Sequence, residues 1–172
     1  MSLIFCGLYA PIILYAIYII FWVLTMATED HVSYNIMTNL KNNGWEIFQY
    51  HPPGGQACWG ITVSNKIIYP DIVAYKSGVV ITIENKGAYN DTDLKKLNNL
   101  INNKTAQEQI YDLISANCKI RNIDIPRHVK YLWGHGFYSK KDIQCLRHIN
   151  LLRVDENNIL NIIPSEQAPF TL

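Results

Sequence analysis

Three charged side chains have the spacing of a small catalytic group. Asp71 follows a proline, and the next β-branched run ends in Glu84-Asn85-Lys86. Alternate residues of a β-strand share a face, so Glu84 and Lys86 point the same way and Asn85 points to the opposite side. A short turn separates the two strands as in a hairpin, and we therefore expect Asp71 to lie at the same edge of the sheet.

These residue types predict a particular chemistry. Two carboxylates a few ångströms apart repel each other unless a cation lies between them, and such oxygen ligands suit Mg²⁺ or Mn²⁺. A lysine beside the metal can orient or deprotonate a water molecule, while the metal stabilises charge on a phosphoryl group under attack. The group therefore predicts phosphodiester hydrolysis. The alternative interpretation of Glu84 and Lys86 is an exposed ion pair at a strand end.

The elements that must position these residues follow from apolar periodicity. The sequence predicts a mixed α/β sheet covered by helices, because helical and strand patterns alternate. We expect helices over residues 29–41, 93–118 (with a polar break near 102–103) and 139–147. Strands are expected over residues 45–50, 67–75, 79–86, 129–133 and 151–154, with a loop at 52–55 and a turn at 134–136. His128, His135 and His148 are interpreted as surface or DNA-facing residues.

Pro70-Asp71, residues 72–83 and Glu84-Asn85-Lys86 resemble the PD-(D/E)xK motif of the restriction-endonuclease-like nuclease superfamily. The order of predicted elements over about residues 28–155 is similar to that superfamily's αβββαβ core. The resemblance implies an Mg²⁺- or Mn²⁺-dependent deoxyribonuclease acting on DNA. A site-specific restriction enzyme of this kind would be a homodimer, although no residue indicates one.

The resemblance also implies roles for single residues. It implies that Asp71 and Glu84 are carboxylate metal ligands and that the main-chain carbonyl of Asn85 is a further ligand. Lys86 would be the catalytic lysine. Many members add an acid from the first helix. Glu29 is the candidate for that metal ligand, with Glu46 on the first strand as the substitute.

A second motif lies on the predicted helix after Lys86. Gln107 and Tyr111 are four residues apart and share a helical face. They resemble the QxxxY element of RecB-like and Cas4-like nucleases, which implies a nucleic-acid-binding role. Those families usually carry a Gly-rich aspartate motif and often a metal-binding histidine, for which His31 and His51 are the candidates here. An ordinary core aromatic is the alternative interpretation of Tyr111.

Positive charge is concentrated in the second half of the chain. Residues 86–153 hold twelve of the fifteen Lys and Arg and six of the acids. Such a segment suits a polyanionic partner, because lysines that contact phosphates add affinity without sequence choice; solvated helix faces are the alternative. The candidate phosphate-binding residues are Lys95, Lys96, Lys104, Arg127, Lys130, Lys140 and Lys141.

The start of the chain differs from the rest. Residues 3–26 carry no charge and are long enough to cross a bilayer as a helix. We therefore predict a transmembrane helix within residues 1–26 and a nuclease-like domain at 27–172, in the cytoplasm and anchored to the membrane or free. Alternatively, translation begins at Met26. The four cysteines have no zinc-site or disulfide-framework spacing, which favours reduced thiols.

Two functions from other classes compete with the nuclease. One is a non-catalytic nucleic-acid-binding module of the same fold, which would have no need of clustered carboxylates that repel phosphate. The other is a membrane-anchored interaction protein in which the charged strand end is incidental. Loss of cleavage on substitution of Lys86 would separate the nuclease from both.

Overall fold

The computed structural model describes residues 29–51, 59–89, 91–139 and 143–172. Within these ranges the helices are α1 (residues 29–42), α2 (Asp91–Ile101) and α3 (Lys104–Ile120). The strands are β1 (Glu46–Tyr50), β2 (Ile61–Val63), β3 (Lys66–Ile68), β4 (Ile72–Lys76), β5 (Val79–Lys86), β6 (Lys130–Tyr138), β7 (Asn150–Val154) and β8 (Leu160–Ile163).

Six of the strands form one mixed sheet in the spatial order β1-β4-β5-β6-β7-β8. The first three are antiparallel neighbours, β6 and β7 run parallel to β5, and β8 returns antiparallel. β2 and β3 form a separate antiparallel hairpin. The chain is therefore a mixed α/β protein, as the alternation of patterns predicted.

Helices cover both faces of the sheet. Alternate residues of β5 serve two cores, because Ile81 and Ile83 pack with α1 whereas Val80 packs with α2 and α3. The buried stripe of α1 comprises Val32, Ile36 and Leu40. The buried residues along α2 and α3 include Leu97, Leu100, Ala106, Ile110, Ile114 and Cys118. Both faces of β5 are thus buried, and only its ends can present polar groups.

The β4–β5 hairpin agrees with the prediction. Its turn places Ser77 and Gly78 at φ values of 47° and 81°, the left-handed conformations that two-residue hairpin turns use. The helical segment also breaks near residues 102–103 as predicted, and Asn103 caps α3 by accepting a hydrogen bond from the amide of Ala106.

Two strand predictions are wrong. The strand expected over 67–75 is β3 and β4, separated at Pro70, and β3 pairs with β2 outside the main sheet. The turn expected at 134–136 belongs to a continuous β6. Its glycines permit close packing: a Cβ on Gly134 would lie 2.7 Å from Leu152 Cδ1, and one on Gly136 2.1 Å from Asn85 Oδ1.

The helix expected over 139–147 is wrong in its described part, since residues 143–147 are not helical. The carbonyls of Leu146 and Arg147 instead accept hydrogen bonds from the amides of Glu166 and Gln167. Asn150 fixes the same region, because its Oδ1 accepts from two amides of the C-terminal segment. These partners lie far along the chain. β2 and β8 were not predicted either.

Several predictions fall outside the described residues. They are the transmembrane helix within 3–26, the loop at 52–55, and the phosphate-binding roles of Lys140 and Lys141. In the part of the chain that the structure describes, no helix combines the length and apolar character needed to cross a membrane.

Candidate active site

The end of the β4–β5 hairpin holds Asp71 beside Glu84 and Asn85. Ile72 pairs with Ile83, and the amide of Asp71 extends this ladder by donating to the Ile83 carbonyl at 3.1 Å. The carboxylate then turns back, and its Oδ2 accepts a hydrogen bond of 2.6 Å from the amide of Asn85. Backbone pairing and one side-chain contact thus fix Asp71 at the edge where Glu84 lies, as the alternation of strand residues predicted.

A buried glutamine fixes the segment that precedes Asp71. The side-chain amide of Gln49 donates to the Pro70 carbonyl, and its Oε1 accepts from the amide of Trp59 at 2.7 Å. Gln49 lies next to an irregularity in the β1–β4 pairing and is 2% exposed. Sequence reasoning missed this residue, although a lone amide in an apolar strand was a usable signal.

The electrostatics of the site are dominated by Glu84. Its side chain is 2% exposed, its Oε2 accepts from Lys96 Nζ at 2.5 Å, and its Oε1 has no hydrogen-bond partner among the residues that the structure describes. Burial, followed by the negative charge of Asp71, raises the pKa of Glu84 to about 8, against the opposing effect of Lys96. Burial likewise raises the pKa of Asp71. A second cation near the pair would therefore be stabilising.

Lys86 lies at the end of β5 and reaches the first helix. Its Nζ donates to Glu29 Oε1 at 3.1 Å. Burial lowers the pKa of Lys86, but the hydrogen bond and charge of Glu29 outweigh burial, so the pKa lies above its ordinary value. Lys86 is accordingly a cation in this structure.

The structure separates the two candidates for an additional acid. Glu29 contacts Lys86 and so belongs to the site. Glu46 pairs in register with Tyr75 at the far end of the hairpin, and its nearest cation is Arg121 at 3.8 Å. Glu46 therefore lies away from Asp71 and Glu84.

His135 was expected on the surface or facing DNA, and that prediction is wrong. It is fully buried, pairs in register with Glu84, and places Nδ1 3.2 Å from the Glu84 carbonyl oxygen. Its ring stacks on Phe137 and meets Tyr89 edge-on, while no described residue forms a hydrogen bond with Nε2. Burial lowers the pKa of His135. The period-two pattern of residues 130–138 could have revealed its inward orientation.

Asp93, in the first turn of α2, is a second residue that sequence reasoning missed. It is 8% exposed, and within the described part of the chain its Oδ2 has no hydrogen-bond partner. Its charge acts on Glu84, on Lys86 and on His135, which shows that α2 brings a third carboxylate towards the strand end. The site thus combines strand and helix residues.

The donor set is of a kind that suits a divalent cation. Mg²⁺ typically takes one or two carboxylates and fills its remaining positions with water or substrate oxygens. Asp71 and Glu84 are the two carboxylates, and the partnerless Glu84 Oε1 is a buried oxygen that a cation would satisfy. Among the described residues, no group of three or more His, Cys, Asp and Glu is arranged to hold a metal ion. The fit therefore rests on two carboxylates.

Gln107 and Tyr111 do not join this site. The Tyr111 hydroxyl donates to the Pro126 carbonyl at 3.2 Å, and the Gln107 side chain donates to the Ile101 carbonyl at 2.9 Å. Both line a cavity of about 430 Å³ beside the start of β6, together with Lys104 and Arg127. At this end of the sheet Lys130 of β6 pairs with Val79 of β5. This pair lies five residues before the Glu84–His135 pair, so the two pairs are roughly 17 Å apart at about 3.3 Å per residue.

The remaining predicted phosphate-binding lysines lie on α2. Lys96 forms the ion pair with Glu84, so it belongs to the site itself. Lys95 is exposed and lines a cleft between α2 and the β2–β3 hairpin. No protein-family model matches this chain, and no curated protein matches it.

Proposed function

We propose that the protein is a metal-dependent nuclease of the PD-(D/E)xK type that hydrolyses phosphodiester bonds, with DNA as the substrate. The observation that carries the proposal is the buried Glu84, which lies beside Asp71 and two residues before Lys86. Its Oε1 has no hydrogen-bond partner among the described residues. The order of α1, the antiparallel β1-β4-β5 strands, α2–α3 and the parallel β6 supports it, because this order resembles the αβββαβ core.

The roles of the residues follow from their contacts. Asp71 and Glu84 would hold Mg²⁺ or Mn²⁺, with the main-chain carbonyl of Asn85 as a further ligand. The bound ion would supply Lewis-acid stabilisation of charge that develops on the phosphoryl group. Lys86 retains its proton beside Glu29, so it acts as a cationic hydrogen-bond donor to a phosphate oxygen or to the attacking water. Lys96 favours the ionised form of Glu84.

One observation favours a second candidate, a nucleic-acid-binding module without catalysis. The Lys96 ammonium lies 2.5 Å from Glu84 Oε2 and can balance that carboxylate without a metal. In such a module Lys96 would be permanently paired with Glu84. The two candidates therefore differ in whether a divalent cation binds at Glu84.

The test incubates the full chain with plasmid and with single-stranded DNA, in Mg²⁺ and in EDTA. Cleavage that requires Mg²⁺ and is lost in Lys86→Ala supports the nuclease. Lys119→Ala is the matched control, because Lys119 is an exposed lysine in the last turn of α3 and is not among the candidate phosphate-binding residues. Cleavage that persists in EDTA, or is equal in wild type and Lys86→Ala, would overturn the mechanism. DNA binding without cleavage would support the binding module.

A further inference from the structure

A cleft of about 810 Å³ lies between the β2–β3 hairpin and α2. Its lining includes three lysines, Lys66, Lys95 and Lys96. Four asparagines of α2 and the α2–α3 junction line it as well, and none of its described lining residues is acidic. The cleft is therefore positively charged and rich in amide groups that both donate and accept hydrogen bonds.

The cleft is continuous with the candidate active site through Lys96. That residue lines the cleft, and its Nζ lies 3.2 Å from the Tyr69 carbonyl oxygen and 2.5 Å from Glu84 Oε2. Tyr69 and Pro70 lead directly into Asp71 along the chain. A polyanion in the cleft would therefore have one of its phosphates within a side chain's length of both carboxylates.

The cleft also presents apolar surface to its occupant. Ile67 is 58% exposed and Tyr69 is 38% exposed, so both side chains keep part of their surface open to an occupant of the cleft. The missing side chain of Gly60 allows this arrangement, since a Cβ there would lie 2.6 Å from Ile67 Cγ2 and 3.1 Å from Tyr69 Cε1. The tyrosine ring packs against Gly60, and this contact holds the ring in place while part of it is exposed to solvent.

We propose that this cleft binds a single-stranded polynucleotide and leads it to Asp71 and Glu84, an inference that rests on the proposed nuclease function. Lysines contact the backbone phosphates, the exposed tyrosine provides a stacking surface for a base, and asparagine amides reach the edges of unpaired bases. A duplex keeps its base faces stacked inside, so it can use the lysines but not the ring of Tyr69. The cleft is thus the feature that selects unpaired substrate.

The test measures fluorescence anisotropy of a labelled oligonucleotide with the full chain in EDTA, so that binding is separated from cleavage. We expect Tyr69→Ala to weaken single-strand binding by about 5- to 150-fold, the loss of one stacked base, without changing its salt dependence. Lys66→Ala combined with Lys95→Ala should reduce the slope of log affinity against log salt by about 1.4. Tyr69→Phe and Lys119→Ala are the controls, and both should bind as wild type does.

Several results would overturn the cleft proposal. They are equal affinity of wild type for duplex and single strand, unchanged single-strand affinity in Tyr69→Ala, or an unchanged salt slope in the double lysine variant. Thermal unfolding of each variant, together with binding by Tyr69→Phe, excludes loss of fold as the cause. The same measurement with DNA and RNA oligonucleotides of one sequence identifies which of the two polynucleotides the cleft prefers.

The cleft proposal and the nuclease proposal can be contradicted independently of each other. Lys86→Ala should lose cleavage, but Tyr69→Ala should still weaken single-strand binding in that background, because Lys86 does not line the cleft. Binding that depends on Tyr69, with no cleavage in Mg²⁺, would support the cleft and overturn the nuclease. Cleavage of single strands at the wild-type rate in Tyr69→Ala would overturn the cleft and leave the nuclease intact.

Discussion

The two ends of the β5–β6 pair carry polar side chains in very different states. At the Lys86 end, Glu84 Oε1 and His135 Nε2 are buried without hydrogen-bond partners. At the Lys130 end, the Tyr111 hydroxyl and the Gln107 amide both donate to main-chain carbonyls. Buried polar groups are normally satisfied, and exceptions concentrate where a ligand or a reaction uses them. Motif similarity pointed to both ends. Among the described residues, Glu84 and His135 at the Lys86 end have buried atoms without a hydrogen-bond partner, whereas the side chains of Gln107 and Tyr111 are bonded to main-chain carbonyls.

The largest expected difference between the ends is in catalysis. Glu84→Gln removes the charge that would hold a divalent cation, and we expect the initial rate of plasmid cleavage in Mg²⁺ to fall at least 100-fold, of the order seen for loss of an essential catalytic group. Gln107→Ala and Tyr111→Phe should stay within about two-fold of wild type, because their contacts are structural and distant from Glu84. A loss in Tyr111→Phe as large as in Glu84→Gln would reverse the ranking of the two ends.

Glycine substitutions at each end should differ in mechanism. Gly136→Ala places a Cβ 2.1 Å from Asn85 Oδ1 and 2.4 Å from Ile36 Cδ1, and we expect a loss of about 1–3 kcal/mol in the free energy of unfolding. Because Asn85 must move, cleavage per folded molecule should fall as well. Gly78→Ala, at φ 81° in the hairpin turn, should cost about 1–2 kcal/mol through backbone strain alone.

Urea unfolding and the initial cleavage rate, measured on the same samples, check both glycine variants. A fully active Gly136→Ala protein would show that the position of Asn85 does not matter for the site.

The pH dependence of stability should identify the buried acid. The pKa of Glu84 in the folded state is about 8, above its ordinary value of 4.5, so the folded state binds the proton more tightly. Its contribution to stability is therefore complete below about pH 4.5 and is lost as the pH rises towards 8.

Urea unfolding in EDTA at several pH values should show this fall in wild type but not in Glu84→Gln, a difference on the order of 5 kcal/mol because the two pKa values lie about 3.5 apart. His135, whose pKa is lowered, acts in the opposite direction, so the wild-type minus variant difference is the quantity to compare. Gln107→Ala should keep the wild-type pH dependence. Parallel curves for wild type and Glu84→Gln would contradict the burial of an acid at this position.

The smallest expected difference in cleavage is between variants of Glu29 and Glu46, the two candidates for the additional acid. Glu29→Gln removes the charged partner of Lys86. Burial lowers the pKa of Lys86 and the charge of Glu29 raises it, so we expect the variant to have a lower Lys86 pKa and several-fold slower cleavage. Glu46→Gln, near Arg121, should leave cleavage within about two-fold. Both are partly exposed ion pairs, so each change should cost less than about 1 kcal/mol of stability. Equal cleavage by the two variants would remove Glu29 from the site.

Local patterns predicted the elements whose partners lie nearby in sequence. The β4–β5 turn is specified by Ser77 and Gly78, which tolerate the conformations a tight hairpin needs. The apolar stripe of α1 and the break between α2 and α3 are likewise readable from spacing and capping residues. By contrast, glycines usually interrupt strands, so Gly134 and Gly136 indicated a turn. They lie in β6 because β5 and β7 pair on both sides of it.

The sequence by itself predicted that Asp71, Glu84 and Lys86 share one end of a hairpin, since a short turn joins the two strands and alternate strand residues share a face. Only the tertiary structure decided what surrounds them. The parallel β5–β6 register buries His135 beside Glu84, and the docking of α2 brings Lys96 and Asp93 to the same strand end. The docking of α3 places Gln107 and Tyr111 at the opposite end. These positions depend on packing between apolar faces far apart in the chain, and no local spacing encodes that packing.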